Sequence, residues 1–163
     1  MNRPESEADL IELDESATGL TLPEALRVVL TQHDGEAGSS VFGDGFDFFS
    51  SREMAEHWRM HVTILDRLSA KALTGEFDPE VMSERDSGVK SLIANRKWLP
   101  FAGNSGDVTR YIDFGPALGG RVGQVIEVGP EATTWKILAP SFGAYLAEHV
   151  RNRSTAGRCR AGS

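Results

Sequence analysis

Cysteine is almost absent from this chain, with Cys159 the only one in 163 residues. An internal disulfide is therefore impossible, and zinc sites built on clustered cysteines are excluded. Long apolar runs are missing as well. No stretch approaches the ~20 consecutive apolar residues needed to span a bilayer. The opening residues, MNRPESEADL, are acidic and polar and do not read as a secretory leader. No internal repeat is visible. These absences predict a soluble cytoplasmic protein with no membrane span.

Signatures of catalysis are also lacking. No serine stands in a Gly-x-Ser-x-Gly frame, and Cys159 lies on a basic tail, a poor place for a positioned nucleophile. The histidines are His33, His57, His61 and His149. His57 and His61 are four apart, a spacing that can bind a metal. The run His57-Trp58-Arg59-Met60-His61, however, has no Glu after His57, so the HExxH motif fails. Both are expected to be partly exposed surface residues. Gly119, Gly120 and Gly123 superficially suit a phosphate cradle, but Arg121 and Gln124 follow in place of Lys and Ser or Thr, and the next element reads as a strand. No catalytic residue, metal or organic cofactor is expected.

What is present is ordinary globular material: 40% apolar and 25% charged residues, in a length suited to one domain. The charge is unevenly placed. The tail 151–163 contains Arg151, Arg153, Arg158 and Arg160 and no acid. Residues 1–150 thus hold 13 of the 17 basic residues and all 24 acidic ones, a net of 13 − 24 = −11. Such a body repels nucleic acid and is steered toward a basic partner, although solubility alone also accounts for it.

Residues 6–17 suit a short helix capped by Ser6, with Leu10, Ile11 and Leu13 as its apolar stripe and Gly19 as its end. Pro23 suits the first turn of a second helix, buried through Leu26, Val29 and Leu30 and closed by Asp34-Gly35. Residues 36–49 offer Val41-Phe42 and Phe46–Phe49 as strand candidates. Ser50 or Ser51 caps the longest helix, whose Met54, Trp58, Val62, Leu65 and Leu68 recur at helical spacing up to Gly75. Residues 76–87, acidic and interrupted by Pro79, read as an exposed loop, and Val89–Ile93 starts the return to the sheet. After an apolar entry at 98–101 and a turn at Gly103–Gly106, strands are predicted over 111–114, 122–128 and 133–138. A turn at 119–121 separates the first two, and Pro140-Ser141 opens a helix running to Glu148. The fold class is α+β: a single domain over 1–150, with a mainly antiparallel central sheet flanked by helices and a basic tail over 151–163.

Several residues admit two readings. Trp98 and Phe101 can line a pocket, but such aromatics are more often core. Pro100 between them bars itself from a central ladder position. Asp113, just before Gly115-Pro116, can act as a general base but suits better an acceptor of backbone N–H bonds. Gln124 suits a hydrogen bond across the turn.

The wording of four segments points further. Trp98-Leu-Pro-Phe101, Asp113-Phe-Gly-Pro116, Gly123-Gln-Val-Ile126, and Ala139-Pro-Ser141-Phe142 followed by Leu146 resemble the signature of the SUKH superfamily. Leu22-Pro-Glu-Ala-Leu26 and His33-Asp-Gly35 resemble its amino-terminal phrase, so the likeness touches most of residues 20–148. One departure is Gly106-Asp107, where relatives tend to carry an amide. The superfamily includes fungal cell-wall-synthesis regulators and bacterial proteins that protect their owners from toxins. The resemblance implies an α+β domain that binds protein without catalysis, in the first instance an immunity protein for a cognate toxin, with a basic nuclease suiting the charge. An intracellular regulator or scaffold and a small hydrolase are the alternatives, and neighbouring genes discriminate among them. Because recognition varies between relatives, it is expected on loops. The candidate partner contacts are Glu36, Asp44 and Asp47 on one side and Glu76, Asp78, Glu80, Glu84 and Asp86 on another.

Overall fold

The computed structural model describes residues 20, 22–32, 45–67, 84–90, 95–104, 108–129, 132 and 134–149. Helix α1 (Glu24–Gln32) starts directly after Pro23, whose carbonyl accepts the N–H groups of Leu26 and Arg27. Leu26 and Leu30, one turn apart, are its buried residues, with Val29 half-buried beside them. Helix α2 (Ser51–Arg67) begins with a reciprocal cap. The Ser50 Oγ accepts the Glu53 N–H at 3.1 Å, and the Glu53 carboxylate accepts the Ser50 N–H at 2.7 Å. Its buried face is Ser51, Met54, Ala55 and Trp58, while Val62 and Leu65 are half-buried. Residues 142–149 form helix α3, entered through Ser141, whose Oγ accepts the Ala144 N–H at 3.1 Å.

The strands are β1 (Asp47–Phe48), β2 (Glu84–Arg85), β3 (Trp98–Gly103), β4 (Thr109–Asp113), β5 (Gln124–Val128) and β6 (Thr134–Ala139). They form one sheet in the order β1-β3-β4-β5-β6-β2, antiparallel except for the parallel β6–β2 pair. Helices cover both faces. Tyr111 meets Trp98 and the α2 residue His61, whereas its neighbour Arg110 donates to the Tyr145 hydroxyl on α3. Adjacent residues of a strand point to opposite faces, so α2 and α3 lie on opposite sides. On the α3 side, Phe101 packs edge-on against Phe142 and Tyr145 at 5.2 and 5.4 Å between ring centres.

The α+β reading holds, with corrections in detail. Residues 84 and 85, placed in an acidic loop, are the edge strand β2. Pro100 lies in β3 opposite Tyr111 and pairs on that side alone, consistent with its exclusion from a central ladder position. The ladder shifts register between Pro100 and Ala102, and β1 reaches only Ala102 and Gly103, so no pairing with β1 is asked of the proline. Strand β5 starts at Gln124 and not at Val122. Val89, where the return to the sheet is expected to begin, is buried in a turn closed by its N–H on the Asp86 carbonyl, and residues 91–94 lie outside the described residues. The helix predicted over 6–17, the Asp34-Gly35 stop, Val41-Phe42, the 68–75 end of the long helix, Asp107 and the tail 151–163 all lie outside the described residues.

Trp98 and Phe101 are core, fully buried with Leu99 and Ile112. Replacing Trp98 with Ala should cost about 3–5 kcal/mol, the range for deleting a buried large aromatic. A melting temperature unchanged from wild type would show that Trp98 does not carry the core.

Candidate functional site

Five of the superfamily-like residues, Trp98, Asp113, Pro116, Gly123 and Gln124, lie at one end of the sheet, where β4 turns into β5. Asp113 ends β4 and Gln124 begins β5, and the two are partners in the ladder. Both are buried, Asp113 at 0% and Gln124 at 1% exposure. The Gln124 Nε2 donates to the Asp113 Oδ2 and to the Gly88 carbonyl, each at 3.0 Å, and its Oε1 accepts the Arg121 N–H at 3.0 Å. Chemistry fixes the orientation of that amide, because a swapped oxygen would face a carboxylate and a carbonyl. The other Asp113 oxygen accepts the Gly115 N–H at 2.9 Å, and its main-chain carbonyl accepts the Gly123 N–H at 2.7 Å.

The loop between them, residues 114–123, is tied down along its length. The Phe114 N–H donates to the Lys97 carbonyl, the Ala117 N–H to Gly88, and the Gly120 N–H to Ala117. A Cβ on Gly120 would meet the Gly88 oxygen and the Pro116 Cβ at 2.7 Å each, so only glycine permits this approach. Gly123 has φ +87°, the left-handed region that glycine adopts without strain. The three glycines thus serve a strand-to-strand turn and not a phosphate cradle, which sits between strand and helix.

Burial pushes the Asp113 carboxyl above its ordinary range. The Gly115 N–H, the Gln124 amide, the Trp98 indole and the Lys90 charge act against that rise. The Trp98 Nε1 is itself buried and makes no hydrogen bond of normal geometry, so it assists the carboxylate only as a nearby dipole. The folded state holds the Asp113 proton more tightly than the unfolded chain. Its contribution to stability is therefore complete at low pH and is lost as pH rises through the folded value.

Three of the candidate contact residues lie among the described residues. Asp47 is exposed on β1 and Glu84 on β2, at opposite edges of the sheet. Asp86 is exposed but occupied, its carboxylate accepting the Ile137 N–H at 2.8 Å. Glu36, Asp44, Glu76, Asp78 and Glu80 lie outside the described residues. Among the signature residues, Trp98, Asp113, Pro116, Gly123 and Gln124 share the loop end. Pro100 sits within β3, Phe101 and Phe142 form the core under α3, and Ser141 caps that helix.

Sequence reading missed Arg110. This arginine is only 7% exposed, donates to the Glu127 carboxylate at 2.9 Å and to the Tyr145 hydroxyl at 2.7 Å, and lies 3.7 Å above the Phe46 ring. The pairing of Arg110 with Glu127 follows from the β4–β5 register, which sequence alone does not reveal. His57 and His61 are half-buried, as their spacing on α2 suggests, with His57 stacked on Phe49 at 4.5 Å. Among the described residues, no three His, Cys, Asp or Glu side chains gather where a metal could be held.

Two outcomes are expected. Asp113→Asn should cost about 1–3 kcal/mol in urea unfolding, because an amide offers one acceptor where two donors converge. A variant as stable as wild type would show that the network holds nothing. His61 is harder to protonate than an ordinary histidine, through burial and then the charge of His57. Below about pH 6.5 the unfolded chain therefore takes up more protons at this site, and the contribution of His61 to stability falls as pH drops from 7.5 to 5.5. His61→Gln should flatten that slope by at most about 1.4 kcal/mol per pH unit. The same change in urea-melt stability between the two pH values in wild type and in His61→Gln would contradict this.

The comparisons agree with the geometry. Residues 4–148 match the SMI1 / KNR4 family (SUKH-1). The chain is 30% identical over 137 residues to the fission yeast (Schizosaccharomyces pombe) cell wall biosynthesis/cell cycle regulator smi1, a match covering 78% of this chain and 27% of that protein. The chain thus spans about a quarter of that relative's length. With a family match that runs through both helices α1 and α2, the sheet and the Asp113–Gln124 loop, the chain belongs to the SMI1 / KNR4 family.

Proposed function

We propose that this domain works by binding a protein, without catalysis and without a metal or cofactor, and that its partner is a cognate toxin whose active site it covers in the cytoplasm. The observation that carries the non-catalytic part is the saturation of the buried acid–amide pair. Asp113 spends both carboxylate oxygens, and Gln124 both amide hydrogens, on internal hydrogen bonds. A general base needs a lone pair aimed at substrate, and here the best-placed acid is committed to holding a turn. Tyr111 is no better suited, since burial pushes its hydroxyl up to about 12, where it stays protonated.

Charge supports the choice of partner. The surplus of acid over 1–150 draws in a cationic surface and repels nucleic acid directly. A toxin that itself grips nucleic acid supplies such a surface, so a basic nuclease is the reading we favour. The contacts we propose are the acidic positions Glu36, Asp44 and Asp47, and Glu76, Asp78, Glu80, Glu84 and Asp86. A regulatory or scaffold role is the second reading, supported by the fission yeast relative's description as a cell wall biosynthesis/cell cycle regulator.

The test pairs this chain with a catalytically inactive form of a toxin encoded beside its gene. Converting Asp44 and Asp47 to Lys together, or Glu84 to Lys, should slow association about tenfold at low salt, with the rates converging at high salt. Rates indifferent to both substitutions and to salt would remove the acidic surfaces from the interface. An absence of any toxin gene beside this one would favour the regulatory reading.

A further inference from the structure

The loop pinned by Asp113 and Gln124 ends in two aliphatic side chains turned to solvent. Leu118 is 98% exposed and Val122 72%. Single exposed aliphatics are common, but two within five residues on a fastened turn are not explained by the fold. Between them in sequence stand Gly119 and Gly120, which add no side chain, and Arg121, which is exposed.

The segments that build this tip carry bases without acids, and the exposed acid next to them, Asp86, has its carboxylate on the Ile137 N–H. Residues 87–106 and 114–126 contain Lys90, Arg96, Lys97 and Arg121 and no acid, in a chain with 24 acids against 17 bases. The fold gathers the cations of these segments at one end of the sheet. The Lys97 stem lies against Gly115, Lys90 is near enough to Asp113 to favour its carboxylate, and the Ser87 Oγ lies beside Gly119. Arg96 pairs with Asp66, and Asp113 is buried beneath the loop. Lys97 and Arg121 are exposed and Lys90 half-buried around this loop, which itself contains no acidic residue.

We propose that this end of the sheet docks an acidic, aliphatic segment of a protein partner, with Leu118 and Val122 burying against its apolar side chains and Arg121, Lys97 and Lys90 meeting its carboxylates. The fastened loop favours this, since a tip already held in place loses little conformational freedom on binding. Charge complementarity selects the occupant. A duplex or an anionic bilayer presents many negative charges over a wide area, and an acidic body repels both. A short acidic segment needs only the few cations gathered here. The partner charge is opposite to that proposed for toxin binding, and the two surfaces meet only at Asp86, which adjoins Ser87, so the tip variants and the acidic-loop variants test the two readings separately.

The probe is a synthetic helical peptide with leucines on one face and glutamates on the other, titrated into the 15N-labelled full chain. The amide signals of Leu118, Arg121, Val122 and Lys97 should shift, with binding weakened by salt. Leu118→Asp and Arg121→Glu should each weaken binding about tenfold or more. Both side chains are exposed, so the variants should keep the wild-type spectrum elsewhere. The same peptide with lysine in place of glutamate should leave the tip unshifted. Several results would overturn the proposal: no shift at the highest peptide concentration, shifts mapping to another surface, or equal binding of the lysine peptide. Tighter engagement of the tip by phosphatidylserine vesicles, a DNA duplex or a second copy of the chain would replace the proposed occupant.

Discussion

A carboxylate buried at 0% exposure is the constraint around which one end of this domain is built. An ion taken out of water must be met by donors, and Asp113 is met by the Gly115 N–H and the Gln124 amide. Gln124 in turn needs an acceptor for its second hydrogen, and Gly88 supplies it. That single demand links β4, β5 and the segment leaving β2, three stretches far apart in sequence. It also dictates the glycines: the close approach of residue 120 to Gly88 leaves no room for a Cβ. Two residues earlier, Asp86 fastens β2 beside β6, its N–H donating to the Trp135 carbonyl and its carboxylate accepting the Ile137 N–H, while the Gly88 carbonyl also takes the Ala117 N–H of the loop.

The second buried charge is handled differently. Arg110 sits on the opposite face of the sheet, paired with Glu127 and the Tyr145 hydroxyl and roofed by Phe46. It ties α3 to the sheet as Trp58 ties α2 to it, the latter through an indole hydrogen bond to the Arg96 carbonyl at 2.9 Å. Each face thus combines an apolar contact with one directional polar one, which fixes where each helix lies.

Much of this was legible before the structure, for identifiable reasons. Pro23 and Ser50 announce their helices because the chemistry of a helix start is local. The alternation in 111–114 and the β-branched run in 122–128 announce strands because side-chain preference for a pleated surface is local, although the observed strands are Thr109–Asp113 and Gln124–Val128. Asp113 and Gln124 were legible as turn-holding residues, but their common partner Gly88 was not, being separated by 36 residues from Gln124. Strand β2 was read as loop because Glu84 and Arg85 are both exposed and carry no apolar alternation. Leu118 and Val122 show the converse. Their side chains look like core material, and only the position of the turn reveals that they face water. Family membership was legible in the signature segments, since those residues are the ones that build the loop and the core beneath it.

The central claim is that the Gln124 amide holds the 114–123 loop as a unit, and amide hydrogen exchange tests it residue by residue. In wild type the Gly115, Ala117 and Gly123 amides should be protected well above the level of exposed loops, because each is a donor in the network. In Gln124→Met, which keeps the length of the side chain and removes its hydrogen bonds, those three amides should lose protection. The central-strand amides of Ile112 and Ile126 should retain theirs. Loop amides that exchange equally slowly in wild type and variant would contradict the account.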